Sequence, residues 1–215
     1  MYISDSRNIR VVTPEAIIQT LIGTQERPQG PPRPLPCAQT FLASQVQLQW
    51  PTKLALNPLD SSLHIVDDTM ILKLTSDLRL QVEAGMSPMC TARQYNITKS
   101  PTKILSPIAD LDFAHDGTLY FLEKSKKSSL IHQLDRFGAI KPLDVFCNGT
   151  KCPFGTFSAL SISPDNGKIL VAENEKLQIL SLEHVLPEAK DSQEFHVPDP
   201  LSGKRVLDFQ RNVLF

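Results

Sequence analysis

The sequence "SQVQLQWPTKLALNPLDSSLHIVDD", residues 44–68, contains two short strand patterns joined by an Asn-Pro turn. Apolar and polar residues alternate up to Trp50, the single tryptophan of the chain, and alternate again after Lys53. Alternation with a period of two is typical of β-strands that bury one face, and Asn-Pro favours a turn. The stretch therefore predicts a β-hairpin whose second strand ends in two aspartates.

The same pattern occurs twice more along the chain. "ADLDFAHDGTLYFLEK" begins at Ala109, and "SALSISPDNGKILVAEN" begins at Ser158. Leu54, Leu111 and Leu160 occupy equivalent positions, separated by 57 and 49 residues. Repeats of about 40 to 50 residues that contain four short strands are typical of β-propeller blades. The sequence thus predicts a repeat protein of the propeller type.

Further strand patterns fill in the remaining parts of these units. "TMILKLT" and "LRLQVEAG" complete one blade, and "MYISD", "IRVV" and "IIQTLIG" fit strands two to four of a blade whose innermost strand lies upstream. We therefore predict an all-β fold. Residues 1–182 would form a partial propeller of about three and a half blades, each of four short antiparallel strands. Residues 183–215 would form a linker and the start of a second β-structure. Because a partial ring exposes apolar blade faces, we expect this piece to aggregate when it is expressed alone.

Composition excludes several classes of partner. Lys and Arg number 22 and Asp and Glu number 23, for a net charge of −1. A balanced charge gives no attraction for nucleic acid or for an anionic membrane surface. No apolar run is long enough to span a bilayer, and the N-terminus does not have the pattern of a signal peptide. Any membrane attachment is therefore expected to come from a segment outside this chain.

Cysteines and glycosylation motifs indicate an oxidising compartment. The four cysteines permit three pairings, and no histidine lies at zinc-ligand spacing from them; they are Cys37, Cys90, Cys147 and Cys152. "NIT" at Asn96 and "NGT" at Asn148 are candidate N-glycosylation sites. Disulfides and N-glycans both belong to secreted or extracellular proteins, so we predict a secretory location.

No pattern of catalytic residues emerges from the sequence. It lacks a Ser-His-Asp constellation, a phosphate-binding glycine loop and a HExxH motif, so we predict no catalytic residue, no metal and no cofactor. His64 and His132 fall inside strands, where packing or a hydrogen bond is the expected role. Carboxylates recur at the ends of second strands, either as calcium ligands or as caps of a recurring turn. We favour the capping role for these four residues, Asp67, Asp68, Glu123 and Glu173.

The stretch from Thr20 to Cys90 carries the most specific pattern. It combines Cys37, the "QLQWPT" run, "LNPLDSSLHIVDD" and Cys90 after "EAGMSP". This combination resembles the NHL region of teneurins over about seventy residues, and "MYISDSRNIRVV" resembles the core of an NHL repeat. Weaker resemblance continues to Leu182. "EFHVPDP" and "KRVLDFQRNVLF" then resemble the beginning of the tyrosine-aspartate repeat shell of teneurins, and the whole resembles a fragment of a divergent invertebrate member.

This resemblance implies a function and a location. Teneurins are large single-pass transmembrane glycoproteins of the plasma membrane, with EGF-like domains upstream of the propeller. They act in cell adhesion, signal transduction, axon guidance and neuron development. The resemblance implies an extracellular recognition module, not an enzyme, that makes homophilic contacts and binds latrophilin-type receptors. It also implies a disulfide between Cys37 and Cys90, and a second one between Cys147 and Cys152.

Two other functions fit a propeller. A cytosolic NHL scaffold would bind proteins or RNA, which requires reduced cysteines and, for RNA, a basic face. A propeller enzyme such as a lyase or lactonase would require His or Asp metal ligands converging near the axis. The three aligned repeats share no histidine at an inner position, which speaks against the enzyme.

Overall fold

The computed structural model describes residues 1–24, 35–38, 40–87, 89–90, 104–124, 128–135, 138–143, 146–147, 150–151, 156–164, 167–173 and 176–181. These residues form four antiparallel sheets, and all lie in the compact unit Met1–His184. Blade 1 contains β1 (Tyr2–Asp5), β2 (Asn8–Val12) and β3 (Ile18–Ile22). Blade 2 contains β4 (Thr40–Leu42), β5 (Pro51–Leu56), β6 (Leu63–Asp67), β7 (Met70–Leu74) and β8 (Arg79–Gly85). Blade 3 contains β9 (Ile108–Phe113), β10 (Leu119–Lys124), β11 (Ser129–Leu134) and β12 (Ile140–Pro142). Blade 4 contains β13 (Phe146–Cys147), β14 (Thr150–Lys151), β15 (Phe157–Ile162), β16 (Lys168–Glu173) and β17 (Lys176–Ser181).

Successive strands within each blade pair as neighbours from the inside outward. β5, β6, β7 and β8 follow one another across blade 2, and β9 to β12 do so across blade 3. Blade 1 has the register of strands two to four, because the Asp5–Asn8 turn matches the Asp67–Met70 turn. The predicted all-β partial propeller of about three and a half blades is therefore confirmed.

The hydrophobic core lies between successive blades, since the central strands bury both faces. On β10, Leu119 and Phe121 pack toward blade 2, whereas Tyr120 and Leu122 pack toward blade 4. β6 follows the same rule, with Ile65 facing blade 1 and Val66 facing blade 3. Each large apolar side chain buried in this way contributes roughly 1.5 to 3 kcal/mol. Blade-on-blade packing thus contributes strongly to the stability of this unit.

The outer strands of two blades come from the connection that precedes the blade. β4 pairs with β8 at the outer edge of blade 2, and β13 pairs with β17 at the outer edge of blade 4. The sequence "AIKPLDVF", residues 139–146, has the pattern of one strand, but the structure divides it between two blades. β12 ends at Pro142, although the N–H of Leu143 still donates to the carbonyl of Ile131 at 2.8 Å, and Phe146 pairs with Lys151 and Ser181 in blade 4.

Two equivalent glycines, Gly23 directly after β3 and Gly85 at the end of β8, lie where the chain leaves blades 1 and 2. Gly23 and Gly85 both have positive φ, of 107° and 79°. A Cβ at Gly85 would lie 2.0 Å from the backbone oxygen of Thr69, and one at Gly23 would lie 1.9 Å from Oδ1 of Asn8. Only glycine fits this close approach, which brings the exit of the blade against the turn between its second and third strands.

The outward faces of the two terminal blades are apolar and accessible. Ile18 is exposed on blade 1, and Leu177 and Ile179 are exposed on blade 4. Aggregation of the isolated piece remains a prediction. The region 183–215, expected to form a linker and the start of a shell, lies outside the described residues.

Candidate functional site

One end of the sheets carries the connections between blades, and we call it the connection face. In blade 2 the register places Pro51, Asp67, Met70 and Gly85 in one row across the sheet. The connections 23–50 and 86–107 reach this row, as does the turn between β6 and β7. Loops held by a rigid sheet are where recognition residues are usually found, so this face is the candidate site.

A disulfide joins the two long connections. Cys37, which precedes β4, is bonded to Cys90, which follows β8, with Cα atoms 5.5 Å apart and a sequence separation of 53. Cys90 is buried, and both cysteines pack with Met86 and Val82. This is the pairing that the resemblance implies. It fixes both connections to the outer edge of blade 2.

A buried carboxylate holds the connection that enters blade 2. The backbone N–H of Trp50 donates to Oδ1 of Asp67 at 2.6 Å, and that of Gln49 donates to both oxygens at 2.9 and 3.0 Å. Burial raises the pKa of Asp67, although these backbone hydrogen bonds act in the opposite direction. The carboxylate of Asp67 thus fixes the backbone at Trp50, in place of a regular turn.

The same device recurs in the next two blades. The N–H of Ser106 donates to Oε1 of Glu123 at 2.8 Å, and that of Thr156 donates to Oε1 of Glu173 at 3.0 Å. In each case the donor lies 17 residues before the acid, as Trp50 lies before Asp67. These acids therefore cap the connections through backbone hydrogen bonds. Among the described residues, no group of three or more metal-ligating side chains occurs.

Asp68 plays a different part from its neighbour. It has positive φ, of 56°, and its backbone N–H donates to the carbonyl of Trp50 at 3.4 Å. Its own carbonyl accepts the N–H of Ile108 at 2.8 Å. Asp68 thus links the start of blade 2 to the start of blade 3 through its backbone, in a conformation that Asp tolerates better than most residues.

Sequence reasoning missed two acids that join the inner strands of blades 3 and 4. Asp110 accepts the N–H of Leu160 at 3.1 Å, and Asp112 accepts the N–H of Ile162 at 2.9 Å. Lys53 of blade 2 also lies 3.4 Å from Asp110. The available signal was two acids at alternate positions of a strand, in "ADLDF". They lie near the axis, where their oxygens bind protein groups.

The connection face carries large apolar side chains that are open to solvent. Trp50 is 71% exposed, although its backbone N–H and its carbonyl both form hydrogen bonds. Met89, beside Cys90, and Ile104, before β9, are also exposed. Exposed aromatic and apolar groups on a rigid backbone are typical of surfaces that bind another protein.

Both strand histidines pack at the interface between blades 2 and 3. His64 contacts the Phe113 ring edge-on at 4.8 Å, and its Nδ1 lies 3.3 Å from the carbonyl oxygen of Ser62. Burial lowers the pKa of His64 to about 4. The expectation of a packing or hydrogen-bonding role for His64 agrees with these contacts.

A pH-dependent loss of stability follows from the burial of His64. The unfolded chain binds a proton at this residue near pH 6.5, whereas the folded chain does so near pH 4, so stability falls as pH drops through this window. We expect the free energy of unfolding to fall by about 2 kcal/mol between pH 7 and pH 5 through this residue. Urea unfolding of the native chain and of His64→Gln at both pH values measures it. An equal loss in both proteins would contradict the assignment.

Comparison with known families identifies the chain. The profile described as the Teneurin NHL domain matches residues 1–156. The chain belongs to the teneurin family. This teneurin is 30% identical to Teneurin-m of Drosophila melanogaster over 93% of its length, and 29% identical to Teneurin-3 of Danio rerio over 94%. It spans only 8% of the length of each of these relatives.

Solved structures agree with the propeller fold of this teneurin. A protein of unknown function from Bacteroides thetaiotaomicron matches with a TM-score of 0.52 and 13% identity, over 84% of this chain and 44% of that one. A gluconolactonase from Xanthomonas campestris matches with a TM-score of 0.50 and 12% identity, over 81% and 50%. At such low identity the likeness concerns the fold alone.

The remaining predicted site residues of this teneurin lie on a short strand or outside the described residues. Cys147 lies on β13, paired in register with Thr150, whereas Asn96, Asn148 and Cys152 lie outside the described residues. Within the described part of the chain, no helix has the length and hydropathy needed to cross a membrane.

Proposed function

We propose that this chain is an extracellular protein-recognition module of a teneurin-type, single-pass transmembrane adhesion receptor. Such a receptor acts in cell–cell adhesion, signalling and neuronal development. The observation that carries the proposal is the Cys37–Cys90 disulfide, which fixes two long connections on the face that exposes Trp50. Disulfides persist in oxidising compartments, which supports a position on the outer side of the plasma membrane.

Protein partners fit this face best. An exposed aromatic side chain on a fixed backbone is a usual anchor of a protein–protein contact, whereas a net charge of −1 gives no attraction for nucleic acid. We propose homophilic teneurin contacts and latrophilin-type receptors as the partners. Membrane attachment would come from a segment outside this chain.

The proposal includes a non-enzymatic role without a cofactor. Its support is that the recurring acids already accept backbone hydrogen bonds, and that Asp110 and Asp112 are engaged between blades. We further propose N-glycans on Asn96 and Asn148, a second disulfide between Cys147 and Cys152, and a division into a propeller region 1–182 and a linker and shell region 183–215.

A non-reducing peptide map of the native protein tests the location. We expect Cys37 joined to Cys90 and Cys147 joined to Cys152, with sugar on Asn96 or Asn148. Four free thiols together with unmodified asparagines would refute the extracellular proposal. That result would favour a cytosolic NHL scaffold that binds protein or RNA.

Substitution of Trp50 tests the recognition face. We expect Trp50→Ser to weaken binding to a second copy of the chain or to a latrophilin-type ectodomain at least tenfold, because buried aromatic anchors contribute about 2 kcal/mol or more to protein contacts. Surface plasmon resonance measures the affinity, and thermal unfolding checks that the fold is intact. Leu59→Ser, at an exposed position of the turn between β5 and β6 at the other end of blade 2, is the matched control. Equal affinities for native chain and Trp50→Ser would contradict the assignment of this face.

A further inference from the structure

Each blade has an equivalent position beside the acid that ends its second strand. The acid pairs in register with a residue at the start of the third strand, and the position in question lies two residues further on. It is occupied by Arg10 in blade 1, Leu72 in blade 2, His132 in blade 3 and Gln178 in blade 4. Three of these four side chains bind the acid of their own blade.

The three polar pairs differ in charge but share one geometry. Arg10 Nε lies 3.0 Å from Asp5 Oδ2, and Gln178 Nε2 lies 2.9 Å from Glu173 Oε2. His132 Nε2 lies 2.6 Å from Glu123 Oε2. Arginine is always charged and glutamine is always neutral, so this position accepts either kind of partner. Histidine is the side chain that changes between these two states near neutral pH.

The Glu123–His132 pair is the most enclosed of the three. The two side chains are 7% and 3% exposed, whereas Asp5 in the equivalent pair of blade 1 is 54% exposed. His132 stacks on Phe121, with ring centroids 5.0 Å apart, and Phe121 packs against Val66, Ile71 and Ala84 of blade 2. The other oxygen of Glu123 holds Ser106 in the connection from blade 2. The pair therefore lies at the junction of blades 2 and 3.

We propose that His132 is a proton switch that sets the strength of the junction between blades 2 and 3 around neutral pH. Protonated, it forms an ion pair with Glu123, as Arg10 does with Asp5. After losing its proton it makes a neutral hydrogen bond, as Gln178 does with Glu173. Coulomb attraction is strong in a site from which water is excluded, so the loss of charge weakens the pair that holds Glu123 in place as the acceptor of the Ser106 N–H.

Other titratable groups around this junction have their own partners. On blade 2, Lys73 lies 3.0 Å from Asp60 and attracts Glu83, while His64 is packed against Phe113. On β9, Asp110 and Asp112 bind backbone N–H groups of blade 4, and on β12 Lys141 lies 3.7 Å from Asp135. Tyr120 packs on the opposite face of β10, toward blade 4. Glu123 is the acid in contact with His132.

The sign of the pH effect follows from this pairing. Burial disfavours the imidazolium of His132, as it does that of His64, but the Glu123 carboxylate 2.6 Å away stabilises it more strongly, so the folded chain keeps this proton to a higher pH than the unfolded chain. The added stability is then fully present below about pH 6.5 and is lost as pH rises above that value. The effect of His64, which has no carboxylate partner of this kind, has the opposite sign and a lower pH range.

Urea unfolding between pH 6 and pH 8.5 tests the switch in the full chain. His132→Gln and His132→Arg reproduce the pairs of blades 4 and 1 and remove the titration. Relative to either variant, we expect the unfolding constant of the native chain to rise about tenfold over this range, which corresponds to a titration shift of one unit. A ratio that does not change with pH would overturn the proposal.

Two local measurements remain informative if a variant fails to fold. The NMR titration of the His132 ring should have a midpoint above about 6.5, the value for an unfolded histidine. As pH rises from 6 to 8.5, hydrogen exchange of the Ser106 amide should speed up relative to that of the Thr156 amide. The acceptor of Thr156 is Glu173, which pairs with the neutral Gln178. A midpoint at or below 6.5, or a constant Ser106-to-Thr156 ratio across this pH range, would also overturn the proposal.

Discussion

The double substitution Cys37→Ala and Cys90→Ala should lower the free energy of unfolding by about 4 kcal/mol. The bond closes a loop with a sequence separation of 53, and the lost restriction of the unfolded chain corresponds to this value. Alanine avoids placing a hydroxyl group among Met86 and Val82. The dependence of unfolding on denaturant should also become steeper, because the unbridged chain exposes more surface.

Urea unfolding at 25 °C measures both quantities. The reduced native chain should match the double variant in the transition that involves blade 2, since both lack the same bond. Cys147→Ala with Cys152→Ala is the control, as any bond between these cysteines would close a far shorter loop and contribute less. A loss below 1 kcal/mol for Cys37→Ala and Cys90→Ala would show that the connections are held without the disulfide.

Asp67→Ala should be nearly as damaging, with a loss of about 3 kcal/mol. It leaves the N–H groups of Gln49 and Trp50 without their acceptor, at the almost fully buried position of Asp67. Hydrogen bonds to charged groups contribute about 1.5 to 3 kcal/mol each, and unpaired buried donors add a desolvation cost. Asp67→Asn should lose only about 1 kcal/mol, because it keeps one acceptor oxygen and avoids burying a charge.

Trp50 gives this prediction a local measurement. It is the only tryptophan, so its fluorescence anisotropy reports the mobility of the connection that Asp67 holds. We expect anisotropy to fall in Asp67→Ala while circular dichroism still shows the β-sheet signal. Asp68→Asn is the matched control, since Asn tolerates the positive φ and the backbone bonds of this residue remain. Unchanged anisotropy in Asp67→Ala would contradict the role of the carboxylate.

The blades themselves were predictable because their strands carry a local pattern. Alternation in "LHIVDD" and "TMILKLT" and the turn residues between them follow from the backbone and from burial, and both can be read from neighbouring residues. The assignment of the first three strands to positions two to four of blade 1 was predictable for the same reason. Asp5 and Asp67 end equivalent strands, and Gly23 and Gly85 close equivalent exits.

The outer strands were not predictable in this way. β4 and β13 contain three and two residues, too few for a period to show, and their partners β8 and β17 are distant in sequence. Pairing of this kind is decided by which edge lies nearby after the blades have packed. Local propensity contains no information about that edge.

The candidate site was predictable in part. Recurrence at the ends of second strands indicated that Asp67, Glu123 and Glu173 share a structural role. Their hydrogen-bond donors, 17 residues upstream, lie in connections that have no sequence pattern of their own. The exposure of Trp50 could not be predicted from the sequence, because an aromatic residue at the start of an apolar strand is usually buried.

The outer strands also determine where this chain can be divided. Since β4 and β13 precede the blades that they complete, a cut placed just before β5 or β15 would remove an outer strand from the blade it was meant to isolate. In blade 2 it would also remove Cys37 and leave Cys90 as an unpaired thiol. A domain boundary that respects the fold lies ahead of Cys37. During synthesis, likewise, β4 stays unpaired until its partner β8 has been made.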